Sequence, residues 1–219
     1  MLDDLARQLN AVYLFLTKNE IAVASNYHSI SDGEMRWSGF DSSFVSLARN
    51  VEHTRYYSSC VRDRQYNFIL LDGGLVQLQY RIRNDKICEH RLLFMHSPDV
   101  PDLSAAPEEY ADLMYGDIPF GDQIESQSPP MVVRFDFNDD ESRHRERAHP
   151  YSHLTLGNIG SCRIPVKAPL TPFRFFDFIL RNFYYQPFSV ADGDSLFACP
   201  VAVSTTMTET EAALMHVNW

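Results

Sequence analysis

Side chains able to do chemistry gather around one short run, His149-Pro150-Tyr151-Ser152-His153-Leu154-Thr155, followed by Arg163 and preceded by Asp136. An imidazole takes and gives a proton near neutral pH. An arginine stabilises the charge of a phosphorane through paired contacts, and a carboxylate orients a histidine. His149, His153, Thr155, Arg163 and Asp136 therefore form a candidate catalytic set for phosphoester cleavage, with Arg134 beside it. His149, His153 and Asp136 also offer imidazole and carboxylate ligands to a divalent ion. Their spacing off a helix does not by itself put them on one face, so the metal is left open. No cofactor motif is present: neither GxxxxGK[ST] nor GxGxxG occurs. Arg143, Arg145 and Arg147 make the one basic stretch, a candidate contact for nucleic acid.

Strands must position this set. Val133, Phe135 and Phe137 alternate with Arg134 and Asp136 over 131–137, which puts the charged pair on a polar sheet face. Residues 152–156 and 161–166 read as a hairpin. A three-residue loop with Gly160 at the left-handed position pairs Leu154 with Ile164, Leu156 with Cys162 and Thr155 with Arg163. Upstream, 65–71, 75–82 and 86–95 read as strands, joined by Asp72-Gly73-Gly74 and Arg83-Asn84-Asp85 turns. Val76, Leu78, Tyr80 and Ile82 face one way and Gln77, Gln79 and Arg81 the other, predicting one dry and one polar face.

Helices flank the sheet. Leu2, Leu5, Leu9, Val12 and Leu16 predict a helix over 2–18, and Asp41 is placed to cap another over 42–50. Thr171-Pro172 opens a helix over 173–185 that is apolar almost all round, and so buried on more than one side. Residues 188–206 read as short β-like pieces, and Thr208 with Glu211 as a capping box. Prolines break 96–130 into a long loop of the kind that serves as a lid or a partner contact.

Composition sets outer limits. The 219 residues suffice for one domain, and 15 Phe with 11 Tyr supply a large aromatic core. A net charge of −10 opposes nucleic-acid binding except at a local basic patch. The four cysteines, at 60, 88, 162 and 199, form no CxxC pair, which disfavours a zinc ribbon and suits reduced thiols. The N-terminus lacks a secretory pattern, and no run of about 18 apolar residues occurs, so the expected setting is cytoplasmic, without a membrane span.

Two resemblances add to this reading. His153-Leu154-Thr155 is similar to one half of the paired H-x-T strands of two-histidine phosphoesterases; Tyr27-His28-Ser29 and Met95-His96-Ser97 do not supply the second half. The pattern HPYSHLTLG (149–157), CRIPV (162–166) and TPFRFFDFILRNFY (171–184) resembles a bacterial family of domains of unknown function. Tyr66–Tyr80 and Leu92–Pro98 resemble it too. That resemblance implies a bacterial cytoplasmic protein. Through the family's association with mobile-element and antiphage-defence genes, it also implies an accessory role.

The sequence thus predicts a single α+β domain over 1–219. It has a helical N-terminal segment over 1–55 and a sheet core over 65–206 of five to seven mostly antiparallel strands, with an aromatic helix packed on one face. The leading functional expectation is an accessory or interaction component acting through protein partners or self-association. The alternative is a phosphoesterase or nuclease using the His/Arg sheet face.

Overall fold

The protein is described by a computed structural model over residues 1–44, 52–98, 131–157, 161–198 and 201–218. Helix α1 spans Leu2–Lys18 and buries Leu5, Leu9, Val12 and Leu16, the predicted stripe. Strands β1 (Ala22–Ser25), β2 (His28–Ser31) and β3 (Glu34–Trp37) follow, then helix α2 (His53–Arg62). The sheet continues through β4 (Phe68–Leu70), β5 (Leu75–Arg83), β6 (Lys86–Met95), β7 (Val132–Asn138), β8 (Ser152–Leu156) and β9 (Ile164–Pro165). Helices α3 (Pro172–Phe183), α4 (Tyr185–Val190), α5 (Gly193–Phe197) and α6 (Glu209–Ala212) close the chain. The predicted α+β class holds: the nine described strands form one sheet in the order β1-β4-β5-β6-β7-β8-β9, every strand pair is antiparallel, and β3 joins β5 beside β4. Among the described residues no helix is long and apolar enough to cross a membrane.

The core lies between the sheet and the pair α1 and α3. Phe175, Phe176, Ile179 and Leu180 are fully buried. Rings of α3 meet the strands edge-on, Phe176 against Phe68 at 5.4 Å and the partly buried Phe178 against Phe135 at 5.2 Å between centroids, the geometry ring quadrupoles favour. Arg181, one of the few polar residues of α3, pairs with Asp177 and Asp194. Thr171 stands at the N-cap without a side-chain capping bond; Gln8 Oε1 accepts the Phe173 N–H instead, at 3.1 Å.

Four sequence expectations give way to tertiary contacts. The segment after α1, expected to be helical, contains β1 to β3, because Asp32 and Gly33 adopt positive φ and turn β2 back on β3, burying Met35 and Trp37. The strand expected over 65–71 is regular only from Phe68. The Gln65 carboxamide bonds Trp37, Asp41, Gly39 and Asp63, and the Asn67 side chain accepts the Leu78 N–H. Residues 185–190 and 193–197 are helical rather than β-like. The polar face is dry at one end, where Tyr56, Tyr57 and Cys60 of α2 cover Ile69, Leu75, Leu93, Met95 and Val132. The helix expected over 42–50 and the loop over 96–130 lie largely outside the described residues, as does Gly160.

The Asp72-Gly73-Gly74 turn is stapled from two sides. Tyr57 donates to the Gly73 carbonyl at 2.6 Å, while Asp72 Oδ1 accepts from Gly74 N and from the Tyr184 hydroxyl. A Cβ on Gly74 would strike the Tyr184 hydroxyl, the Phe94 ring and Asp72 Oδ1. Gly74→Ala is expected to cost ~1–3 kcal/mol through this overpacking. A urea unfolding midpoint equal to that of the parent would contradict this packing.

Candidate functional site

The strand register assembles the site. Successive residues of a strand point to opposite faces, so Val133, Phe135 and Phe137 enter the core while Arg134 and Asp136 emerge on the other side. Across that second face one row reads Gln79, Arg91, Asp136, His153 and Pro165, and the next Gln77, Leu93, Arg134 and Thr155. The predicted pairing of Leu154 with Ile164 is present, although β9 is only two residues long. The sequence therefore placed Asp136, Arg134, His153 and Thr155 together correctly. It missed Arg91, whose alternation along β6 puts it on this face but whose partner lies across strands.

Asp136 is the hub. Arg134 Nε donates to Oδ2 at 2.5 Å and Arg91 Nε to Oδ1 at 3.4 Å. Burial works against the carboxylate charge, but Arg134, Arg91 and His153 outweigh it and hold the carboxyl below its ordinary range. His153 is 5 % exposed. Its Nδ1 lies 3.1 Å from the Pro150 carbonyl, which can only accept, so Nδ1 carries the proton. Nε2 is then bare, and its 3.8 Å approach to Asp136 is not a hydrogen bond. Burial pushes the His153 pKa down to about 4, leaving the ring neutral at pH 7. Thr155, 4 % exposed, is also sealed.

His149 is the accessible member. Its ring stands 5.0 Å from that of His153, edge to face, and is partly exposed. Partial burial and the nearby Arg163 lower its pKa. Arg163 reaches the Ala148 carbonyl at 3.4 Å. Arg145 and His149 exchange backbone hydrogen bonds and close the loop before the strand. Among the described residues no group of three His, Cys, Asp or Glu side chains is placed to hold a metal ion.

The basic stretch is exposed but not free-standing. Arg143 pairs with Asp140, and the Arg145 guanidinium bonds the Ser142 and His144 carbonyls. Asp139, Asp140, Glu141 and Glu146 surround the three arginines, so carboxylates outnumber cations over 139–147. His144 turns inward instead. It stacks on Tyr151 with centroids 4.0 Å apart, and its Nε2 lies 2.9 Å from Glu211 Oε1. Glu211 is 1 % exposed and also completes the predicted capping box with Thr208, so this contact fastens the C-terminal segment to the loop.

A family profile described as "Uncharacterized conserved protein (DUF2290)" covers residues 17–219, and the chain belongs to this family. No curated protein and no solved structure matches the chain.

The neutral, buried histidines make stability depend on pH. His90, whose Nε2 accepts the Leu170 N–H at 3.0 Å, is likewise pushed by burial to about 4 from an ordinary 6.5. A group whose folded pKa lies below its unfolded value gains its proton on unfolding as the pH falls. The contributions of His90 and His153 are therefore whole above pH 6.5 and are lost between 6.5 and about 4. Asp136, with its lowered carboxyl pKa, acts only below its ordinary 3.8. Unfolding free energy is expected to fall by ~2 kcal/mol per histidine from pH 7 to about pH 5. His153→Gln, which keeps a donor for Pro150, is expected to remove about half of that dependence. Denaturant titrations that are flat over this range would contradict the assignment of two buried neutral rings.

Proposed function

We propose that this DUF2290 protein is a non-enzymatic accessory component of a bacterial mobile-element or antiphage-defence system, acting through protein partners. The setting rests on the family resemblance alone; the mode of action rests on geometry. One observation carries it: of the side chains a phosphoryl-transfer centre would need here, His153 and Thr155 are sealed, and Asp136 is occupied by two arginines. A general base needs a pKa near the working pH and a path to the proton it removes, and His153 has neither. The surface, by contrast, exposes large apolar side chains at Leu14, Val23, Tyr27 and Met215, the kind of group that anchors partners.

A phosphoesterase or nuclease is the second reading, favoured by His149, which keeps a partly exposed ring beside Arg163. The two separate in one assay. Purified protein is incubated with labelled RNA and DNA, with and without a divalent ion, beside a His149→Ala variant of matched thermal stability. The expected outcome is no cleavage above background by either protein. Cleavage by the parent that drops ~100-fold or more in the variant, the scale of a lost general acid or base, would replace the interaction reading with the catalytic one.

A further inference from the structure

The outer edge of the sheet is longer than its strand assignments suggest. Ala24 pairs with Ile69 and Ile69 with Leu75; Ile30 pairs with Met35 and Met35 with Tyr80. Strands β1 and β2 therefore run alongside β5 in one direction, interrupted only at Asn26 and Tyr27. Asn26 fixes that joint by donating to the Arg64 and Tyr66 carbonyls. Residues 22–31 make one edge, and among the described residues no strand pairs with its far side.

The backbone of this edge is available. Ser38 N–H donates to the Tyr27 carbonyl, so in the β2–β3 register Ser29 and Ser31 turn their groups toward β3. Those of His28 and Ile30 point outward. Edges normally repel further strands with charge or proline. The run Ala-Val-Ala-Ser-Asn-Tyr-His-Ser-Ile-Ser over 22–31 contains no Lys, Arg, Asp, Glu or Pro, in a chain of net charge −10. It carries two irregularities, a bulge between Ala22 and Ala24 and the joint at Asn26 and Tyr27. Beside it Tyr27 is 62 % exposed and stacks on Tyr13 of α1 at 4.6 Å. Val23 and Ile30 are exposed on the edge itself.

An occupant must supply an extended strand and apolar groups to cover Val23, Tyr27 and Ile30. A second copy of this chain supplies both, since an antiparallel edge pair is self-complementary about a two-fold axis. The uncharged edge removes like-charge contact at the seam. Repulsion between the acidic remainders is screened over about 8 Å at physiological salt. We infer that residues 22–31 form a homodimer interface in which two edges pair antiparallel and the two sheets become one. The inference deepens the interaction reading above, on which it rests, by naming the partner.

Light scattering after size exclusion, over about 1–200 µM protein, tests it. The expected mass is twice the 25.2 kDa of the chain. The variant Val23→Lys/Ile30→Lys, altered at two exposed sites, is expected to keep the thermal midpoint of the isolated fold and to weaken self-association ~100-fold or more. Met215→Lys, at an exposed position outside this edge, is expected to remain dimeric. A parent that stays monomeric throughout, or a dimer that survives Val23→Lys/Ile30→Lys, overturns the inference. The turnover assay with His149→Ala decides the non-catalytic reading separately, so the two failures are distinguishable.

Discussion

Burial of the aromatic face of α3 against the sheet is the interaction on which the rest depends. Phe175, Phe176, Ile179 and Leu180 are removed from water entirely, and each such side chain contributes ~1.5–3 kcal/mol. The rings that meet α3 and Tyr184 at its end, Phe68, Phe94 and Phe135, sit on three different strands. Once those odd and even positions point inward, the residues between them have no choice but the opposite face. Arg91, Arg134, Asp136, His153 and Thr155 are neighbours because the core fixed the register of β6, β7 and β8.

What that second face became follows from how it is covered. At one end α2 lies over leucines, a methionine and valine; toward the other, side chains must satisfy one another. A charged carboxylate there is tolerable because two guanidiniums meet it, and the adjacent imidazole is tolerable because it is neutral with its proton on a backbone carbonyl. His153 Nε2 is bare and enclosed, while Arg91 and Arg134 stay partly exposed beside Asp136 and His149 is the accessible imidazole. Residue types that read as catalytic in a linear list here also satisfy one another across neighbouring strands.

Buried carboxamides do a parallel task elsewhere. Gln65, Asn67, Gln77 and Asn26 take backbone groups that a regular strand would have paired, which is why the chain between α2 and β4 is ordered without being a strand. No local pattern announces such bonds, because their partners lie in other elements. The β2–β3 hairpin is a different case. Asp32-Gly33 is a strong turn signal, and the alternation of Met35 and Trp37 was legible, but the preceding helix pattern drew the whole N-terminal segment toward a helical reading.

By itself the sequence determined what local periodicity and turn chemistry encode. That covers helix 2–18, the meander 75–95, the start of α3 at Thr171-Pro172, the Thr208–Glu211 capping box, and even the pairing of Leu154 with Ile164. It also determined which residues of β7 share a face, since a period of two admits one answer once Val133 and Phe135 are inside. Only the tertiary structure decided whether those polar residues would be open or sealed, which nitrogen of His153 carries the proton, and that Arg91 completes the cluster. It also decided that β1 and β2 line up into one uncharged edge. These are properties of contacts between elements far apart in the chain, and they are set by packing, which leaves no periodic trace in any one segment.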